Sequence, residues 1–275
     1  MPEGPEIKIA ADRLSRALVS KQCTEVFFAF SHLKAYEKIL RNTTVNLVKP
    51  RGKALIITFS NDLSIYSHNQ LYGKWFLGKP GWLPKTNRQL RLAIHNSHKS
   101  ALLFSASAIE VLSPEEVLNH PFLSKLGPDI LCDNVDLKLI QAKVSAIKST
   151  RRQIGHLLMD QSWLSGIGNY LRSEILFVAR MGPSMKIADL KTREISRLAK
   201  AILEVTRQSY KTRGITNDLD RVAQLKAEGV PRRQFRHHVF ARAGKACYQC
   251  RQIIQKTTFG SRRLYFCPGC QGYND

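Results

Sequence analysis

Two groups of residues in this chain have the types and spacing that chemistry requires. The first lies near the end, where "CYQC" and "CPGC" set Cys247, Cys250, Cys267 and Cys270 in a C-x2-C-x16-C-x2-C arrangement. Each pair lets two thiolates reach one ion from a tight turn, and two pairs close a tetrahedron around Zn2+. Four protein ligands leave no open coordination position, so a single structural Zn2+ is expected. The second group opens the chain, "MPEGPEIKIAADRL". If Met1 is removed, Pro2 supplies a secondary amine with an ordinary pKa of about 8. Attack by that amine on a sugar C1′ would give an iminium, a cationic electron sink of the Schiff-base kind. Glu3 is then the nearest acid or base for protonating the opening sugar or its leaving group. Read from composition alone, an ordinary tolerant terminus stays open beside that chemistry.

Further candidates follow from patterning. "LLMDQSWLSGIGNYLRSEIL" reads as two amphipathic helices around a turn with Gly166, Gly168 and Asn169. Asn169 sits where an N-cap belongs, and the backbone N–H groups after it would face an anion. An ordinary cap in a helical hairpin remains the alternative. Between the cysteine pairs, "RQIIQKTTFGSRRLYF" alternates like a hairpin turning at Gly260 and Ser261, with Arg262 and Arg263 at a basic tip. The balance of 43 basic against 21 acidic residues gives +22, and 26 of the basic residues lie beyond residue 131. Basic and apolar residues are mixed throughout, so the natural partner is a polyanion, bound through phosphate neutralisation.

The elements that must position these groups divide the 275 residues into parts. Ile7, Ala11, Leu14 and Leu18 share one helix face, which pins the first residues against a core. Seven short β-rich runs follow, from "TEVFFAF" to "SALLFSA", as in a sandwich or barrel. "SPEEVLNH" starts a helix with Ser113 as N-cap and Glu116 completing a capping box. From about residue 135 the pattern turns helical, residues 214–236 read as a flexible loop, and the last forty residues are strand-like. The expected architecture is α+β and multidomain: a β-rich domain over 1–131, a helical domain over 132–236 and a small metal module over 237–275. No stretch approaches the ~18 apolar residues of a membrane span, no secretory leader is visible, and the cysteine usage suits a reducing interior.

In their order along the chain, "MPEGPEI", "RGKAL", "YSHNQLYGKW", "HPFLSKLGPD", "DQSWLSGIGNYLRSEIL" and the cysteine ribbon resemble the formamidopyrimidine-DNA glycosylase / endonuclease VIII family. "SHNQLYG" is similar to the endonuclease VIII branch. The resemblance implies a β-sandwich, a helix–two-turn–helix domain and a zinc finger. It also implies removal of oxidised pyrimidines from double-stranded DNA, with nicking by β- and δ-elimination, by a monomer of the bacterial cytoplasm and nucleoid. Residue by residue, it makes Pro2 the Schiff-base nucleophile, Glu3 the catalytic acid, and Lys53 a phosphate-contacting lysine that assists elimination. Arg262 matches the finger arginine of the second elimination. Gln70, Leu71 and Tyr72 match the loop that fills the gap left by a flipped base, and Lys125 and Asn169 match DNA-contacting positions.

The chain departs from that pattern in two places. Residues 214–236 are longer than expected where the family's base-recognition loop varies, and position 125 is Lys rather than Arg, which loses the bidentate fork. Other polar residues have plainer expectations. His237 and His238 read as phosphate-facing or solvated, Glu174 as either an orienting group for the N-terminus or a helix-surface acid, and Cys23 and Cys132 as core. Trp75, Trp82 and Trp163 read as packing aromatics. A non-catalytic zinc-ribbon protein that senses damage, or an enzyme directed to oxidised purines, would use the same basic surface.

Overall fold

The computed structural model describes residues 2–132 and 135–272, so the expected processing of Met1 falls outside the described residues. The chain divides into two compact units, Met1–Leu126 and Gly127–Asp275. Among the described residues no helix is long and apolar enough to cross a membrane.

The first unit begins with α1 (Gly4–Leu18), capped by Glu3 in a reciprocal capping box with Glu6, whose carboxylate accepts the Glu3 N–H at 3.0 Å. Its stripe of Ile7, Ala11, Leu14 and Leu18 is buried, and α1 packs against a strand of the sandwich. The chain continues through β1 (Glu25–Phe28), α2 (Lys34–Leu40), β2 (Val45–Arg51), β3 (Ala54–Phe59), β4 (Ser64–His68), β5 (Lys74–Gly78), β6 (Leu90–His95), β7 (Ser100–Phe104) and β8 (Ala108–Leu112), ending in α3 (Pro114–Asn119). Two antiparallel sheets form, ordered β2-β3-β4-β8 and β1-β6-β7-β5. Leu55, Ile57 and Phe59 from one sheet meet Leu92, Ile94, Ala101 and Leu103 from the other, with α1 closing the same core. The opposite face of β3 is covered too, by Tyr66, Leu112 and Leu123. Being buried on both sides, β3 reads as a continuous apolar run rather than an alternating one. The helix at 113–119 starts as its sequence requires: Ser113 Oγ accepts the Glu116 N–H and the Glu116 carboxylate accepts that of Ser113.

The second unit is mainly helical: α4 (Leu137–Ser145), α5 (Ile154–Leu157), α6 (Asn169–Val178), α7 (Thr192–Lys211), α8 (Leu219–Ala227) and α9 (Arg232–Phe235) precede β9 (Gln255–Phe259), β10 (Arg262–Phe266) and α10 (Pro268–Gln271). One core joins the helices to Leu264 and Phe266 of β10. The 214–236 stretch differs from the flexible loop its composition suggests, because it holds α8 and α9. Asp218 caps α8 by accepting the Arg221 N–H at 2.9 Å, Val222 is buried, and Gly229 follows with φ +74°. A good cap and a left-handed stop enclose a helix with only one buried residue, so its apolar period is weak.

Candidate active site and metal centre

In the first unit the start of α1 holds Pro2 and Glu3 close to the body of the protein: Pro2 is half-buried and Glu3 is 3% exposed. Lys53 occupies a two-residue hairpin between β2 and β3, after Gly52 with φ +61°, and is buried although charged. Its neighbour is His68 at the end of β4, whose pKa is held below the ordinary value by burial and by the Lys53 charge. His68 Nδ1 in turn accepts the Gln70 N–H at 3.0 Å. Gln70, Leu71 and Tyr72 form the turn from β4 to β5, and Leu71 and Tyr72 are 53% and 64% exposed. Lys125 is exposed at the end of a short 3-10 turn, Leu123–Lys125. Sequence reasoning misses His68, because a histidine closing an apolar strand carries no signal of its own.

In the second unit the α5–α6 connection is pinned by the Gln161 amide, which donates to the carbonyls of Met159 and Ile167 and accepts the Gly166 N–H. This turn sets the start of α6. Gly168, not Asn169, is the N-cap; its backbone is extended, and Asn169 is already helical. The Asn169 side chain is engaged elsewhere, accepting from the Arg172 guanidinium at 2.9 Å. Arg172 is almost wholly buried and also donates to the carbonyls of Phe259 and Arg263, at 3.2 and 3.3 Å. It therefore ties Asn169 to the hairpin that carries Arg262. That hairpin turns at Gly260 and Ser261, with φ +58° and +59°, the left-handed pair that a two-residue antiparallel turn favours. Arg262 and Arg263 are exposed beside it.

The four cysteines of the ribbon come together, with every Sγ within 4.8 Å of the others. Cys250 and Cys267 lie 3.3 Å apart and Cys247 and Cys270 3.8 Å, near the ~3.8 Å edge of a tetrahedron with ~2.3 Å metal–sulfur bonds. Gln249 N–H points at Cys247 Sγ at 3.4 Å, as a thiolate ligand would require. Burial pushes the Cys267 thiol up to about 11 and raises that of Cys270 as well, so a bound cation is what would let these two ionise. The donor set fits a metal ion held entirely by protein.

Glu174 is not a helix-surface acid. It is fully buried, and its carboxylate accepts the N–H groups of His238, Val239 and Phe240 at 2.7, 2.8 and 2.8 Å and the Thr216 hydroxyl at 2.5 Å. Burial alone would raise its pKa; His237, His238 and these hydrogen bonds outweigh that and lower it. His237 and His238 are buried rather than solvated, against Tyr170 and Phe177. The motif shows polar residues but not which way they face. Trp75 and Trp163 are buried, whereas Trp82 is 42% exposed and lies over Gly78 at the sheet edge.

Burial pushes the His237 pKa from 6.5 down to about 4, against the pull of Glu174. Within that window the unfolded chain takes up a proton that the folded chain refuses, so stability falls as pH drops. His238 is shifted in the same direction and steepens the fall, and Glu174, lowered from 4.5, adds its own loss only at the acid end of the range. A shift of this size corresponds to about 3 kcal/mol for His237. Thermal melts between pH 7 and 4 should show the loss in wild type and a shallower one in His237→Gln. Parallel curves would remove His237 as its source.

Comparison with known proteins decides the family. The formamidopyrimidine-DNA glycosylase N-terminal domain matches residues 1–106 and the H2TH domain of the same glycosylases matches residues 126–220. Endonuclease 8 of Escherichia coli K12 is 45% identical over 271 residues, covering 98% of this chain and 100% of the relative. The chain belongs to the formamidopyrimidine-DNA glycosylase / endonuclease VIII family. Endonuclease 8 of Shigella sonnei is 44% identical over the same length. The family is one of DNA glycosylases and AP lyases, which decides for an enzyme over a non-catalytic ribbon protein. The fold is shared by the Lactococcus lactis formamidopyrimidine-DNA glycosylase solved with abasic-site DNA, at TM-score 0.79 and 22% identity over 98% of this chain and 100% of that one. The same enzyme solved with DNA containing an oxidised pyrimidine gives TM-score 0.79 at 23% identity, over 99% and 100%.

Proposed function

We propose that this family member removes oxidised pyrimidines from double-stranded DNA and nicks the resulting abasic site, working as a monomer with one structural Zn2+. The observation that carries the reading is the start of α1, where a buried carboxyl, Glu3, adjoins Pro2 in a fixed first turn. The Pro2 nitrogen attacks C1′ of the damaged nucleotide, and the base leaves with the glycosidic electron pair and the proton that the attacking amine gives up. Glu3 protonates the sugar ring oxygen as the ring opens, leaving a C1′ iminium on Pro2. Loss of a C2′ proton into that electron sink expels the 3′ phosphate. Loss of the C4′ proton, acidified through the new C2′–C3′ double bond, expels the 5′ phosphate, and water then hydrolyses the iminium and releases Pro2.

Lys53 holds a phosphate beside this centre, and its burial strengthens the charge it presents. Lys125, Asn169 and Arg262 supply further phosphate contacts, with Arg262 serving the second elimination. Gln70, Leu71 and Tyr72 occupy the space the flipped nucleotide vacates, which suits an exposed tip of one polar and two apolar side chains. The four-cysteine cluster, filled by Zn2+, keeps the arginine hairpin in shape. The 45% identity to an endonuclease 8 favours pyrimidine lesions over purines.

Borohydride reduction during turnover on a panel of single-lesion duplexes tests the reading. A covalent adduct should form with oxidised pyrimidines and map to the N-terminal peptide at Pro2. An adduct on an internal lysine would refute the nucleophile, and preferential trapping by oxidised purines would refute the substrate.

A further inference from the structure

The 69–73 turn is shaped from within and braced from outside. Within, the Gly73 N–H donates to the Asn69 carbonyl at 2.7 Å, and a Cβ at Gly73 would lie 2.6 Å from that oxygen. Gln70 adopts φ +45°, a left-handed conformation that side chains disfavour. Beyond these bonds and the one from the Gln70 N–H to His68 Nδ1 at 3.0 Å, the tip has little to rest on, since Leu71 and Tyr72 are largely exposed. Outside, two side chains from other connections reach in. Arg88, between β5 and β6, donates from its guanidinium to the Tyr72 carbonyl. Ser107, between β7 and β8, donates its hydroxyl to Gln70 Oε1 at 2.5 Å. Arg88 is itself steadied where its N–H meets Thr86 Oγ1 at 3.2 Å.

We propose that Arg88 and Ser107 are positioning residues that hold the 70–72 tip in the shape needed to enter the base stack. The inference rests on the wedge role assigned to that tip above. A tip that is left-handed at Gln70 and unsupported by packing would sample other conformations, and ordering it would fall to the moment of insertion. Two braces from separate connections transfer that ordering to the free protein. They grip the carbonyl of the last wedge residue and the side chain of the first, leaving Leu71 between them. Arg88 thus acts through Tyr72 rather than on DNA.

The test uses the full chain and four variants: Arg88→Ala, Arg88→Lys, Ser107→Ala and Leu71→Ala. Single-turnover excision from a duplex with one oxidised pyrimidine is compared with nicking of a preformed abasic site. A fluorescent purine analogue beside the lesion reports unstacking. Losing one hydrogen bond of ordinary strength should slow excision about fivefold in Arg88→Ala and delay the fluorescence rise, with abasic-site nicking changed by less than about twofold. Arg88→Lys should recover most of the loss, because one N–H suffices for the carbonyl, and Ser107→Ala should resemble Arg88→Ala. Equal slowing of both reactions, or unchanged excision in Arg88→Ala and Ser107→Ala, would overturn the bracing role. So would a shallower salt dependence of duplex affinity in Arg88→Ala, which would make Arg88 a phosphate contact. Leu71→Ala separates the two readings. If it slows excision while the brace variants do not, only the bracing fails; if it too excises normally, the wedge itself fails.

Discussion

Glu3→Gln should lower base excision by about 10²- to 10⁴-fold, the range for a lost general acid, with duplex affinity and thermal stability retained. Glutamine keeps the size of the side chain and an oxygen that can serve the capping box at the head of α1, so the helix start should survive. What it cannot do is deliver a proton. A buried carboxyl at this point, 3% exposed, has little solvent to substitute for it. Nicking of a preformed abasic site should suffer less, because an abasic sugar opens to its aldehyde in water without help from the enzyme's acid. The decisive comparison is single-turnover excision against abasic-site nicking in the same preparation. If Glu3→Gln excises normally while Glu3→Ala only melts earlier, Glu3 is a helix cap and the acid lies elsewhere.

The second large effect concerns the metal. Cys250→Ser should lose one equivalent of Zn2+ and, with it, most duplex affinity and nicking. Structural zinc contributes apparent folding energies of about 10 kcal/mol or more, far beyond what the apolar contacts of this small module can offset. Those contacts are few: Phe177, Val239, Cys247, Ile254 and Cys267 form the local cluster. The hairpin should not come away entirely, because Leu264 and Phe266 belong to the helical core and Arg172 grips the turn from below. Losses should therefore run from the two cysteine turns to the hairpin tip, visible as hydrogen-exchange protection lost around residues 247–253 and 259–262 but kept toward Leu264 and Phe266. Arg262→Ala should retain the metal yet lose phosphate binding. Full nicking by protein shown to be metal-free would overturn this arrangement.

Much of the framework can be read from the residues because local and long-range preferences agree. The α1 stripe, the Ser113 cap, the seven early strands and the Gly260–Ser261 turn each combine a periodic pattern with the residue its boundary demands. Strand β8 escapes such a reading, since "AIEVL" is short and lies between a turn and a capped helix. α8 is hidden by its flanking glycines and acids. The harder failures are directional. Composition cannot say that His237 and His238 turn inward, or that Glu174 spends its charge on three consecutive backbone amides. Nor can it show Arg88 or Ser107 meeting a turn from other parts of the sandwich, because those meetings depend on two separate connections ending side by side. The cysteines are legible for the opposite reason: their chemistry is dictated by spacing within two short segments.

The interleaved strand order bears on how the protein is made. β2, β3 and β4 are consecutive and pair as a meander, so three strands of one sheet can assemble as soon as they leave the ribosome. β1 has no such neighbour; its partner is β6, and Val26 and Phe28 meet Ile94 and Leu92 only after most of the sandwich has been synthesised. During that interval two core residues and an open strand edge wait without their native cover, the condition under which nascent chains pair with the wrong partner. Slowing translation between β1 and β6 should therefore lower the yield of this unit without altering the stability of the finished fold.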